Sequence, residues 1–161
     1  MRSKVRLSVI PAAIFIIGTA MSLSANAAPN DACSLLTQAQ IKSVLNLTVS
    51  TGTATPDKKA CSWSVSNPVP KGVRFFTVTL ESTNSFQGGK FASVAIQGVT
   101  VTSASGVGED AYYLTASAFV FLHVKKGAVA FRISLYAGTD ITIEKTEDME
   151  KTLALQIASE L

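Results

Sequence analysis

The sequence predicts an α+β fold: a single domain with an antiparallel β-sheet of about five to six strands, packed by a short N-terminal helix and a longer C-terminal helix. Three observations lead to it. A helix-start signal occupies residues 36–41, short runs of alternating apolar residues recur between residues 60 and 136, and from about Ile143 the apolar spacing becomes helical. Because strands follow one another without intervening long helices, we expect antiparallel pairing with the helices on one face.

Residues 1–27 have the features of a cleaved secretory signal. Arg2, Lys4 and Arg6 precede an apolar run from Leu7 to Leu23, and Ala25-Asn26-Ala27 supplies small residues for cleavage after Ala27. An uncleaved membrane anchor is the alternative. Cleavage leaves residues 28–161 as the single α+β domain, in the periplasm of a bacterium or secreted from it.

The charge of the chain changes when this leader is removed. The chain has 14 Lys plus Arg and 11 Asp plus Glu, and three of the basic residues lie in residues 1–27, so 14 − 3 = 11 basic residues remain against 11 acidic ones. A net charge of zero lacks the basic footprint of a nucleic-acid binder. No later apolar run is long enough to cross a membrane. The expected partner is an unknown envelope protein or a small ligand.

Two cysteines in an exported chain usually form a disulfide, and we predict one between Cys33 and Cys61. A reactive or metal-binding pair is the alternative, but it would call for a CxxC motif or a nearby His, and the sequence has neither. Trp63 shares a face with Cys61 on a predicted strand, where Cys61, Trp63 and Val65 alternate with three serines. We expect it to pack over the disulfide in the core, with a ligand-stacking role as the alternative.

The short N-terminal helix has a complete start signal. Thr37 is placed to cap the N3 amide, Gln40 to reach back to the Thr37 amide, and Leu36 to pack on Ile41. The helix should end near Asn46. Further segments alternate as strands, in the order Ala60 to Ser66, Val73 to Glu81, Val99 to Ser103 and Ala111 to Thr115.

Two further segments are predicted, one between the strands and one after them. Ser82 to Lys90, with Gly88-Gly89, is predicted to be a loop that leads into a weak helical turn at Phe91 to Val94. The long C-terminal helix should bury an apolar stripe against the sheet. That stripe consists of Met149, Leu153, Ala154, Ile157, Ala158 and Leu161.

The segment from Ala116 to Tyr136 is predicted to be a β-hairpin with Lys126 and Gly127 as its central turn residues. One face, called the apolar face below, then pairs Val124 with Val129, Leu122 with Phe131, Val120 with Ile133 and Ala118 with Leu135. A slip of one residue would set Arg132 against Val120 and break this pattern. The apolar face should receive the C-terminal helix.

The opposite face of the hairpin, called the mixed face below, holds the candidate binding residues. These are Phe119, Phe121, His123, Arg132 and Tyr136. Phe121 is expected directly opposite Arg132, at cation–π distance, and rows of aromatic residues with Arg are typical of interface centres. In the alternative interpretation, the region from Phe86 to Ile96 covers this face and makes it a second small core.

No catalytic residue, metal ligand or cofactor is predicted. His123 is the only histidine, and the sequence has no G-x-S-x-G elbow to pair with it. Glu109 and Asp110 are adjacent on a strand entry, so their side chains should point to opposite faces. Gly106-Val107-Gly108 lacks the third Gly and the Lys of a phosphate loop.

Several short motifs resemble a loose group of small exported bacterial proteins and lipoproteins of unknown function. They are Ala32-Cys33-Ser34-Leu35-Leu36-Thr37, Cys61-x-Trp63, Gly106-Val107-Gly108-Glu109-Asp110-Ala111 and Lys125-Lys126-Gly127. That group is similar to PsbP-like α/β/α sandwiches, which implies ligand or partner binding without catalysis. The chain departs from the lipoprotein members because it has no lipid-attachment Cys, and no functional residue is carried over.

We therefore predict a non-catalytic exported binding module of unknown ligand. The first alternative is an inhibitor or immunity-like protein that binds another envelope or secreted protein. The second is a small hydrolase that uses a Ser and His123.

Overall fold

The computed structural model describes residues 28–66, 72–117, 119–137 and 141–161. The predicted signal at residues 1–27 and the predicted pair of Ala118 with Leu135 involve positions outside the described residues. Within the described ranges, no helix is long and apolar enough to cross a membrane.

The elements form one antiparallel sheet with helices packed against it, which confirms the α+β class. The helices are α1 (Gln38–Leu45), α2 (Thr83–Val94) and α3 (Ile143–Glu160). The strands are β1 (Thr53–Ala54), β2 (Ala60–Ser64), β3 (Val73–Glu81), β4 (Val99–Ser103), β5 (Asp110–Ala116), β6 (Phe119–Lys126) and β7 (Val129–Ala137). Over the described ranges the sheet has seven strands in the order β1-β2-β3-β7-β6-β5-β4, more than predicted.

The apolar face of the hairpin forms one side of the main hydrophobic core. The side chains of Val120, Leu122, Val124, Phe131, Ile133 and Leu135 are all buried there. Helix α3 covers this face with a stripe that includes Leu153, Ala154 and Ile157, as predicted. Met149 and Leu161, at the ends of the predicted stripe, are only partly buried. Helix α1 packs beside α3 and contributes Ile41 to the same core.

The predicted disulfide between Cys33 and Cys61 is present and joins a short 3-10 turn (Ala32–Ser34) to β2. Trp63 is fully buried next to it and stacks on Phe76, with ring centroids 5.2 Å apart, so Trp63 is a core residue. Gly52 passes directly over this cluster. A Cβ atom at Gly52 would lie 2.6 Å from the sulfur of Cys61, so a larger residue does not fit without a shift.

Helix α1 starts and ends as predicted. Thr37 Oγ1 accepts a hydrogen bond from the Gln40 amide at 3.2 Å, and Gln40 Oε1 accepts one from the Thr37 amide at 2.8 Å. These two bonds form the capping box and satisfy amides that the helix itself leaves free. Asn46 ends the helix in the left-handed region, with φ of 54°.

The predicted register of the hairpin is wrong by two residues. Lys126 lies opposite Val129 and Leu122 lies opposite Ile133, so the central turn residues are Gly127 and Ala128. Gly127 has φ of 58°, and placing it first in the turn spares Lys126 a positive φ. Because side chains alternate with a period of two, a shift of two residues leaves every side chain on its predicted face.

The segment predicted as a loop from Ser82 to Lys90 is the first part of helix α2. Ser82 caps the helix by accepting a hydrogen bond from the Ser85 amide at 3.0 Å. Phe86 is fully buried against Tyr112, and burial of this aromatic residue overrides the poor helix propensity of Gly88-Gly89. Helix α2 lies on the mixed face. The helices therefore lie on both faces of the sheet, not on one as predicted.

Candidate functional site

The mixed face divides into a part covered by α2 and a part that stays open. Of the predicted binding residues, His123 is 7% exposed and lies in the covered part. Phe121 and Arg132 are half-buried at the boundary, while Phe119 and Tyr136 are exposed. The alternative interpretation, in which the region from Phe86 to Ile96 covers this face, therefore holds for one part of it only.

In the covered part, His123 is held from two directions. Its Nδ1 lies 3.0 Å from Glu81 Oε2 at the end of β3, and its ring stacks on Tyr112 of β5 with centroids 4.6 Å apart and planes 4° from parallel. The Tyr112 hydroxyl donates to the carbonyl of Phe86 at 3.1 Å, which ties this stack to α2. Burial, followed by the charge of Glu81, raises the pKa of Tyr112 to about 12.

Arg132 faces His123 across the ladder and not Phe121, which corrects the predicted pairing. Its guanidinium carbon still lies 5.6 Å from the Phe121 ring centroid, because that ring sits diagonally opposite. Arg132 Nε is 3.9 Å from Glu81 Oε1. This distance is too long for a hydrogen bond but short enough for charge attraction. The Glu81 carboxylate therefore lies between an imidazole and a guanidinium.

In the open part, three aromatic side chains lie near one end of the sheet, and we call them the open aromatic surface: Phe75, Phe119 and Tyr136. They are 42%, 53% and 43% exposed. Phe75 and Tyr136 lie opposite each other on β3 and β7 and stack with centroids 5.0 Å apart. Phe121 of β6 lies opposite Ser134 of β7. Phe119 and Tyr136 are each two positions further along these strands, so they occupy the same face.

Sequence reasoning missed Phe75 and Glu81 as members of this region. Both lie on the predicted strand from Val73 to Glu81, and the period of two places them on the same face of it. What was missing was the neighbour of that strand. Only the pairing of β3 with β7 brings this face of β3 next to the hairpin.

The acidic residues at the start of β5 do not form a carboxylate pair. Glu109 pairs with Lys125 at 2.8 Å, and this hydrogen bond lowers the pKa of Glu109. Asp110 instead pairs with Lys90 of α2 at 3.0 Å. No group of His, Cys, Asp and Glu suited to a metal ion occurs in the part of the chain that the structure describes.

One buried acid was not foreseen. Glu150 of α3 is fully buried on the apolar face, and its Oε1 accepts a hydrogen bond from the Leu135 amide at 2.9 Å. Burial raises the pKa of Glu150 to about 9. Helical spacing was the signal that could have found it, because Glu150 precedes Leu153 and Ala154 by three and four positions.

Comparisons with protein-family models, with curated proteins and with solved structures found no match for this chain. The resemblance to PsbP-like proteins therefore stays a prediction.

Proposed function

We propose that this protein is a non-catalytic exported binding module that binds a partner protein through the open aromatic surface. The observation that carries the proposal is the exposure of Phe75, Phe119 and Tyr136 together, since exposed clusters of large aromatic residues usually mark interaction sites. Tyr and Phe are also enriched at the energetic centres of interfaces. Arg132 and Phe121 lie beside this surface and supply a cation held against a ring.

Export is supported by two features. The leader at residues 1–27 has the composition of a cleaved signal. The disulfide between Cys33 and Cys61 is of a kind that forms and persists in oxidising compartments such as the periplasm or the outside of the cell. Both features suit a binding module that acts in the envelope or beyond it.

A role without catalysis is supported by the environment of His123. Its ring is covered by Tyr112 and its Nδ1 is engaged by Glu81, so the imidazole is used in holding β3, β5 and β6 together. A general base must reach a proton on a substrate. His123, at 7% exposure, is poorly placed for that task.

The test compares alanine variants of exposed apolar side chains, some within the open aromatic surface and one on the opposite side of the sheet. Phe119→Ala and Tyr136→Ala should each weaken binding of the partner about tenfold or more, because aromatic residues at interface centres contribute strongly. The partner is first captured from an envelope extract and then titrated in purified form by calorimetry. Its identity separates a general binding module from an inhibitor of another secreted protein.

Leu155→Ala is the matched control. Leu155 is 45% exposed on α3, on the other side of the sheet, so its truncation removes similar apolar surface away from the proposed site. Phe119→Ala and Leu155→Ala should keep the free energy of unfolding within about 0.5 kcal/mol of the wild type. Tyr136→Ala should lower it by up to about 1.5 kcal/mol, because it removes the stack with Phe75. Equal loss of affinity in Leu155→Ala, or none in Phe119→Ala and Tyr136→Ala, would overturn the proposal.

A further inference from the structure

Strand β4 is the last strand of the sheet and has a neighbour on one side only among the described residues. Just beyond its end, the Ala104 amide donates to the Ala111 carbonyl of β5 at 2.9 Å. In an antiparallel ladder, alternate residues bond to the same neighbour. The amide and carbonyl groups of Val101 and Ser103 therefore point away from the sheet.

In the part of the chain that the structure describes, the outer edge of β4 carries none of the features that normally prevent strands from pairing. Its sequence, Val99-Thr100-Val101-Thr102-Ser103, has no charged residue and no Pro. Natural edge strands are usually protected by Lys, Pro, a bulge or a covering segment. β-branched residues also have high strand propensity, so this edge is well suited to accept a further strand.

We propose that the outer edge of β4 pairs antiparallel with β4 of a second copy of this chain, which joins two sheets into one. The strand is nearly symmetric about Val101, so pairing centred there is self-complementary. Thr100 then faces Thr102 of the partner subunit, and Val99 faces Ser103 of the partner subunit. With no charge on the strand, this pairing places no like charges opposite each other.

Exposed apolar residues beside β4 support a second copy as the occupant. Phe91 and Val94 of α2, and Ile96 in the connection from α2 to β4, are all exposed, and α2 packs over β4. The two-fold axis that relates the strands is perpendicular to the joined sheet, so both α2 helices lie on its same side. These side chains can then become buried between the two copies. They add to the interface area, because one pair of short strands buries too little surface for a stable dimer.

The experiment uses charge pairs on Thr100 and Thr102, whose side chains are exposed. In the double variant Thr100→Lys with Thr102→Lys, each Lys faces a Lys across the two-fold axis. In Thr100→Lys with Thr102→Glu, each Lys faces a Glu. We expect the wild type and the Lys/Glu variant to form dimers, with the Lys/Lys variant weakened about tenfold or more. Sedimentation equilibrium over a concentration series measures the dimer dissociation constant.

Amide hydrogen exchange of the wild type gives a second measurement that does not depend on a variant folding. The Val101 and Ser103 amides should become protected as the protein concentration rises, while other edge amides stay unchanged. The proposal is overturned if the wild type stays monomeric at a protein concentration of about 1 mM. A dimer dissociation constant above that value is weaker than that of a specific interface. The proposal is also overturned if the Lys/Lys variant dimerises as tightly as the Lys/Glu variant. Because the open aromatic surface is not involved, either result leaves the proposed function unaffected.

Discussion

Glu150 is a carboxylic acid in the middle of an apolar core, where an unpaired charge is costly. Its carboxyl reaches the backbone of β7, where it accepts the hydrogen bond of the Leu135 amide. Burial raises the pKa of Glu150 to about 9, and the nearby charge of Glu147 adds to the effect. The folded protein therefore keeps Glu150 protonated at neutral pH.

The stability of the protein should consequently fall as the pH rises. The pKa of Glu150 in the folded protein lies above the value of 4.5 for an exposed carboxyl. Its contribution to the free energy of unfolding is therefore fully present below pH 4.5 and is lost as the pH rises to about 9. The slope attributable to Glu150 is up to about 1.4 kcal/mol per pH unit. Glu150→Gln keeps an acceptor for the Leu135 amide and cannot ionise.

Urea denaturation at several pH values between 5 and 9 measures this effect. The free energy of unfolding of Glu150→Gln should change less with pH than that of the wild type, and the variant should be the more stable protein at pH 9. Parallel curves for the two proteins would show that Glu150 ionises freely in the folded state.

Helix α2 was missed because its local sequence argues against a helix. Gly88 and Gly89 lie in its interior, and glycine there is less favourable than alanine. The helix forms because Ser82 caps it and because Phe86 is buried against Tyr112. Only contact with the sheet makes α2 stable, and this contact depends on β5 being next to β6.

The two glycines of α2 should respond differently to alanine. A Cβ atom at Gly88 meets nothing within 4 Å, so Gly88→Ala should raise the free energy of unfolding by about 0.5 to 1 kcal/mol. A Cβ atom at Gly89 would lie 3.1 Å from the Tyr112 hydroxyl oxygen. Gly89→Ala should therefore gain less, or lose stability. Chemical denaturation measures both variants, and equal gains would contradict the contact between Gly89 and Tyr112.

Across the whole molecule, the disulfide and the sheet order connect distant parts of the chain. Cys33 and Cys61 are 28 residues apart, and their bond ties the segment that leads into α1 to β2. Helix α1 has only eight residues and is too short to be stable alone. The disulfide and the packing of α1 on α3 together hold this N-terminal region on the sheet.

Removal of the disulfide should cost a large share of the stability. The double variant Cys33→Ala with Cys61→Ala should lower the free energy of unfolding by about 3 to 4 kcal/mol, because the unfolded chain regains the freedom of the closed loop. A reductant provides the control: it should destabilise the wild type and leave the variant unchanged. A variant as stable as the oxidised wild type would show that packing alone holds the N-terminal region in place.

Sequence patterns predicted the features that depend on neighbouring residues in the chain. The capping box of Thr37 and Gln40, the strand faces of the hairpin and the apolar stripe of α3 all follow from local spacing. The register of the hairpin does not. Alternation with a period of two is unchanged by a shift of two residues, so only the backbone preference of Gly127 separates the two pairings.

Local residue patterns were enough to specify helices α1 and α3, the strands from β2 to β7, the pairing of Cys33 with Cys61, and which side of each hairpin strand is apolar. The placement of β3 beside β7 and of α2 across the mixed face depends on long-range packing that no local pattern specifies. Those two contacts bury His123 and leave Phe119 and Tyr136 exposed. The physical reason is that burial depends on which segments meet in space, and such contacts join residues far apart in the chain.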